Sequence, residues 1–142
     1  MAIDNIFGIA GSALNAQMAR MNATASNLAN ASTVAGNEQE AFRAKRTVFK
    51  AVLEEQTPVP RDQTYQGGVR IDALIDDPAP IKRMSDPGNP LADKDGYVYM
   101  SNVNEMTEMV EMMAASRSYQ NNVEVINTTR QLMMRTIDIT RS

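Results

Sequence analysis

Acid–base chemistry in this chain would have to come from carboxylates. Asp76-Asp77, or Asp93 with Asp95, can be posed as a general acid and base. Each sits in turn-like sequence with no nucleophile or second base beside it. Asp93, Asp95 and Gly96 also match part of a calcium-binding loop. The third acidic position, the remaining ligand spacing and the closing bidentate Glu are missing, and an Asp-Gly turn accounts for the same residues. There is no His and no Cys. The commonest general base near neutral pH, thiol catalysis, Zn-thiolate sites and disulfides are therefore all removed, which argues against an enzyme and leaves no cofactor or metal to expect.

The other chemistry-bearing group is basic. Arg43, Lys45, Arg46 and Lys50 cluster within one short segment, yet no series of stacking aromatics accompanies them, and a solvated strand face is the simpler reading. A net charge of -3 over 142 residues gives no electrostatic reason to expect nucleic acid or an anionic membrane as partner. No stretch approaches eighteen consecutive apolar residues, so no membrane insertion is expected. The N-terminus, Met1-Ala2-Ile3-Asp4-Asn5-Ile6-Phe7, lacks the basic region and long apolar run of a cleaved signal peptide. By these rules alone the chain would stay in the cytoplasm.

The elements around these residues fall into three stretches. All six prolines lie between residues 58 and 90, separating a proline-punctuated middle from two proline-free ends. From Asn102 to about Thr140 there is neither Pro nor Gly, and Met109, Met112, Tyr119, Val123, Ile126, Met133 and Ile137 recur at helical spacing. Ser116 and Arg130 are the polar interruptions of that stripe. Asn102 followed by Glu105 reads as an N-cap with its capping box. Val103, Met106, Val110 and Met113 make a second apolar row. A helix of this length, roughly 58 Å, is too long for a domain of this size to wrap, so contact with other molecules is expected along it. Six of the eleven Met residues lie here, a side chain suited to irregular packing surfaces.

Residues 3 to 31 form the other long helix, with a heptad of Phe7, Leu14, Met21 and Leu28 at one position and Gly11, Met18 and Ala25 at the other. Gly8 and Gly11 each cost about 1 kcal/mol against Ala, so its first turns should order only against a neighbour. Its opposite face carries Asn15, Asn22, Asn27 and Asn30 among Ser, Thr and Gln, with Asp4 and Arg20 as the only charges before Ala35. Such a face reads as a contact surface in an assembly; the alternative is a small-residue helix packed within its own bundle. In the middle, Ala41 to Leu53 and Val69 to Ile75 read as strands, the latter with Val69, Ile71, Ala73 and Ile75 on one face. Ile81 to Met84 and Tyr97 to Met100 read as short extended pieces. The fold expected is mainly α with a small β insertion. Long N- and C-terminal helices form an antiparallel coiled-coil hairpin with an irregular β module between them, the helical part spanning 1–35 and 102–142 and the β module 36–101.

At Ala25-Ser26-Asn27-Leu28-Ala29-Asn30 the first helix resembles the signature that opens the axial proteins of the bacterial flagellum, the rod and hook family. Phe42 to Phe49, Gly67-Gly68-Val69, Pro87 to Asp93, Gly96-Tyr97-Val98, Ala115 to Gln120 and Asn122 to Val125 extend the resemblance over essentially the whole chain, to the proximal-rod subgroup. Where many axial proteins continue into a compact Thr-x-Gly-Tyr/Phe turn, this chain has Ser32 to Glu40 before Phe42. The resemblance implies a structural subunit of the basal-body rod, serving motility, with no catalytic residues. It implies export in an unfolded state through the flagellar type III apparatus with no cleaved signal peptide, which replaces the cytoplasmic expectation with the rod in the periplasmic space. Partners would be copies of itself, other rod proteins, a rod-to-membrane-ring adaptor and, in transit, the export apparatus. A soluble helical adaptor or secretion chaperone that binds a partner helix is the alternative.

Within such a subunit, Phe7, Leu14, Met18, Met21 and Leu28 are expected to pack on Met109, Met112, Tyr119, Val123, Ile126, Met133 and Ile137 of the same chain. Asn15, Asn22, Asn27, Asn30, Val103, Met106, Val110, Met113, Arg117 and Gln120 are expected to face neighbouring subunits.

Overall fold

Freedom from proline lets both ends of the chain run as single helices. The computed structural model describes residues 2–52 and 67–141. In chain order the elements are α1 (Ala2–Ala29), β1 (Val34–Ala35), β2 (Lys45–Ala51), β3 (Val69–Asp76), β4 (Lys82–Ser85), β5 (Tyr97–Met100) and α2 (Glu105–Arg141). Leu53, at the end of one expected strand, and Pro58 and Pro60 lie outside the described residues. At about 1.5 Å per residue, α2 is about 55 Å long and α1 about 42 Å.

α1 ends where Asn30 turns its amide back to donate to the Ser26 carbonyl at 2.8 Å and Thr33 Oγ1 donates to the Asn30 carbonyl at 2.7 Å. These side chains add to the backbone bonds that the same carbonyls accept from Asn30 N and Thr33 N, both at 3.2 Å, and so close the end of the helix. α2 starts later than the sequence pattern implies. Its N-cap is Asn104, whose Oδ1 accepts the Thr107 N–H at 3.1 Å, and not Asn102. The Asn102 side chain is committed elsewhere, accepting from Ala44 N at 2.8 Å and donating to the carbonyls of Asp77 and Ala79. The expected partner of the capping box, Glu105, instead accepts from Ser32 Oγ at 3.1 Å.

The helices run antiparallel. Arg20 pairs with Glu111, Asn27 with Glu108 and Ser32 with Glu105, so one number falls as the other rises. The most deeply buried apolar side chains are small: Ala10, Ala16 and Ala23 of α1 and Ala115 of α2, with Ala31, Ala41, Ala44 and Val98 from the connecting segments. Phe7, Leu14, Met21 and Leu28 are half-buried, and α1 packs against both α2 and the β2–β3 hairpin.

Two separate antiparallel sheets lie between the helices in sequence. One has the order β1-β5-β4 and the other is the hairpin of β2 and β3. β1 lies at the end of the stretch 1–35 assigned from sequence to the helical part, and its two residues pair with Met100 and Tyr99 of β5. The hairpin register shifts between Val48 and Phe49: Val48 pairs with Ala73 but Phe49 pairs with Ile71. The extra residue, Asp72, makes a bulge and reverses the alternation along β3. Partners across a ladder share a face, so Val69 and Ile71 lie with Phe49 and Ala51, while Ala73 and Ile75 lie with Val48 and Arg46. The single apolar face expected for Val69, Ile71, Ala73 and Ile75 is therefore split in two.

Candidate assembly surface

Asp76 and Asp77 are brought to the basic cluster, and the opposite charges pair. Asp76 pairs with Lys45, and Asp77 Oδ2 accepts from Arg46 Nε at 3.1 Å. Arg46 Nη1 reaches on to Glu108 Oε1 at 2.7 Å. Arg43 donates to the Ala79 carbonyl at 3.2 Å and lies 3.5 Å from Glu38. The basic cluster is thus not a freely solvated strand face, because Arg43, Lys45 and Arg46 are half-buried and paired. The Ala79 N–H, followed by the Arg46 side chain, holds the Asp77 carboxyl below the usual carboxylate range. Burial works against the charged form of Arg46, but its bonds to Asp77 and the charge of Glu108 outweigh this and raise it.

Glu108 is the centre of this network and is fully buried. Its second oxygen accepts from Asn27 Nδ2 at 2.9 Å. Asn27 is also fully buried, and it takes up both backbone groups of Lys45: Oδ1 accepts the Lys45 N–H at 2.7 Å, and Nδ2 donates to the Lys45 carbonyl at 2.9 Å. One asparagine of α1 thus joins the start of β2 to the first turn of α2. Asn27, expected at a subunit contact, is corrected to an internal role. Its three partners leave nothing to offer outward, and Asn30 likewise caps its own helix.

Asp93 also has a local role. Its Oδ1 accepts the N–H groups of Asp95 and Tyr97, both at 2.9 Å, and its Oδ2 takes the Tyr99 hydroxyl at 3.4 Å. The Tyr97 N–H does most to hold its carboxyl below the usual range, against the opposing cost of desolvation. Gly96 turns the chain at φ +77°, in the left-handed region open to glycine. Arg83 stacks 4.7 Å from the centre of the Tyr97 ring. The Asp93 oxygens build a turn, and among the described residues no three metal-capable side chains gather. A groove of about 510 Å3 lies between α1, β2 and α2, with Arg20, Thr24, Thr47, Phe49, Thr107 and Glu111 among its lining. Arg20 and Glu111 in it already pair with each other, and no nucleophile–base pair faces it.

What remains unsatisfied is apolar surface. Met106 is 72% exposed, Met113 66% and Ile139 75%, with Met109, Val110, Val125, Leu132, Met134 and Ile137 also exposed along α2 and Ile6, Ile9 and Met18 along α1. Of the residues expected to pack within the chain, Met112, Tyr119, Val123, Ile126 and Met133 are half-buried. Met18, Met109 and Ile137 are not; the chain alone leaves each about half exposed. Of those expected to face neighbours, Asn15, Asn22, Met106, Val110, Met113, Arg117 and Gln120 are exposed and Val103 is half-buried. Among the described residues no helix is long and apolar enough to cross a membrane.

Residues 7–36 match the family described as flagella basal body rod protein, and residues 94–139 match the C-terminal region described as flagellar basal body rod FlgEFG protein. The chain is 51% identical over 139 residues to the flagellar basal-body rod protein FlgC of Yersinia enterocolitica, 50% to that of Escherichia coli O6:H1 and 49% to that of Salmonella typhimurium, in each case covering 98% of both chains. At that identity and coverage, the chain belongs to the FlgC family of flagellar basal-body rod proteins, structural subunits rather than enzymes.

Proposed function

We propose that this chain is a proximal-rod subunit that leaves the cytoplasm unfolded through the flagellar type III export apparatus and assembles helically through its terminal helices. The observation that carries this reading is the length of exposed apolar surface along α2, from Met106 to Ile139. A monomer seldom exposes so long an apolar row unless a partner covers it. Residues 1–35 and 102–142 supply an inner coiled-coil layer, and residues 36–101 lie outside it. Met106, Val110, Met113, Arg117 and Gln120 of α2, with Asn15 and Asn22 of α1, contact copies of this chain and other rod proteins. The rod-to-membrane-ring adaptor meets the same assembly in the periplasmic space.

Burial of these rows, at about 25 cal/mol per Å2 of apolar surface, favours assembly over the free subunit. Deleting the last twenty residues is expected to abolish both incorporation into basal bodies and motility. A motile strain carrying only the truncated protein would overturn the proposal. Full-length protein that fractionates with the cytoplasm and never with basal bodies would point instead to a soluble helical adaptor.

A further inference from the structure

The apolar contact between α1 and α2 does little to fix how far one helix slides along the other. Its deepest residues are alanines, whose single methyl groups make shallow ridges. The α1 side also repeats itself. Ala16 and Ala23 are seven residues apart, as are Phe7, Leu14, Met21 and Leu28 in succession. Moving α1 along its own axis by seven residues, about 10 Å, therefore sets like upon like.

The same step brings Arg20 to the place of Asn27. The acid at that place, Glu108, is fully buried, and Arg20 already pairs with Glu111 one turn further along α2. By charge alone, Arg20 suits Glu108 better than a neutral amide does. The place asks for more than a donor, however. Asn27 Oδ1 accepts the Lys45 N–H at 2.7 Å, while Nδ2 donates to the Lys45 carbonyl and to Glu108 Oε2, each at 2.9 Å. A guanidinium donates but cannot accept, so Arg20 there would leave the Lys45 N–H without a partner. The other restraints at this end are slighter: β1 is two residues long, and the bond from Ser32 to Glu105 is exposed.

We propose that Asn27 sets the register of α1 on α2, and that it does so by excluding Arg20 from Glu108. The inference rests on the assembly reading above, because register decides which residues of α1 stand beside Met106, Val110 and Met113 in the surface that neighbours meet. A slip of seven residues would carry Asn15, Met18 and Asn22 two turns along that row. Choosing between registers that apolar packing does not distinguish is the best-attested use of a single buried asparagine between helices.

The test compares variants, each as the sole copy of the chain in a strain, by the amount recovered in purified basal bodies. Asn27→Ala is expected to lower incorporation by about tenfold, since nothing then opposes the slipped register. Arg20→Gln alone removes one half-exposed pair and should lower it by less than about twofold. Together the two should recover about threefold over Asn27→Ala, because the competing register has lost its charge pair. If Asn27 only adds stability, the second substitution subtracts further. A double variant at or below the level of Asn27→Ala would overturn the proposal, as would normal incorporation of Asn27→Ala. Absence of the unaltered chain from basal bodies would instead overturn the assembly reading itself, so the two failures are told apart.

Discussion

The two ends of the helix pair are built on opposite terms. Where α1 finishes and α2 begins, Asn27, Glu108, Arg46, Lys45 and Asn102 satisfy one another and the backbone of the β strands, and the apolar residues buried among them are alanines. Beyond about Gln120, α2 carries Val125, Leu132, Met134 and Ile139 in the open. In the first region the buried polar groups of Asn27 and Glu108 find their partners within one chain. The second has surplus apolar surface and no local means to cover it. Stability and assembly are thereby assigned to different parts of the same two helices, and substitutions should separate them.

Asn27→Ala should have the largest effect on the free subunit. It strips the Lys45 N–H and carbonyl and one oxygen of Glu108 of their partner in a buried site, an expected loss of about 3 kcal/mol, slightly offset by the better helix propensity of Ala. Urea unfolding of the full-length monomer measures it. A loss below about 1 kcal/mol would show that the polar network is not what holds this region together. Leu132→Glu tests the other side of the contrast. The residue is 58% exposed, so monomer stability should change by less than about 0.5 kcal/mol while incorporation into basal bodies falls away. An equal loss of stability would mean that the row is packed within the chain after all.

The smallest effect concerns pH. Asp77 and Asp93 are both held below the usual carboxylate range by the N–H groups they accept and by their side-chain partners. A depressed folded-state value contributes stability that is complete above the unfolded value of about 3.9 and lost as pH falls through the folded value. Stability should therefore be flat from neutral pH to about pH 5 in this respect and decline below about pH 4, with the decline weakened in Asp77→Asn. An acid limb unchanged by that substitution would remove Asp77 from the account.

Much of this arrangement could be read in advance where the signal is local. Proline segregation and apolar periodicity marked both helices, and Gly67-Gly68 and the Asp-Gly turn at Asp95 marked where the chain bends. What escaped the sequence depends on partners far apart in the chain. Asn27 and Glu108 are separated by 81 positions, and nothing in either neighbourhood distinguishes a buried pair from a polar helix face and a dipole-facing acid. The available signal was indirect: three cations between Arg43 and Arg46 needed carboxylates, and Glu108 shares a helical face with Ala115. Asn102 was taken for a cap because Asn before a helix usually is one, while its use against Ala44 and Ala79 depends on the strands being in place. The Asp72 bulge shifts register by one residue without altering composition, so the apolar alternation that located β3 misassigned its faces.

The alanines between the helices have one more consequence. Ala16, Ala23 and Ala115 are almost wholly enclosed, and a site filled by one methyl group can be changed in only one direction that matters. It has little volume to lose, so the familiar cavity-forming substitutions hardly exist here, and almost any replacement adds bulk at a cost of about 1–3 kcal/mol. Sequence drift in this protein should thus be lopsided: the methionine rows can exchange among apolar residues of similar size, while the alanine line is open to little besides glycine and serine.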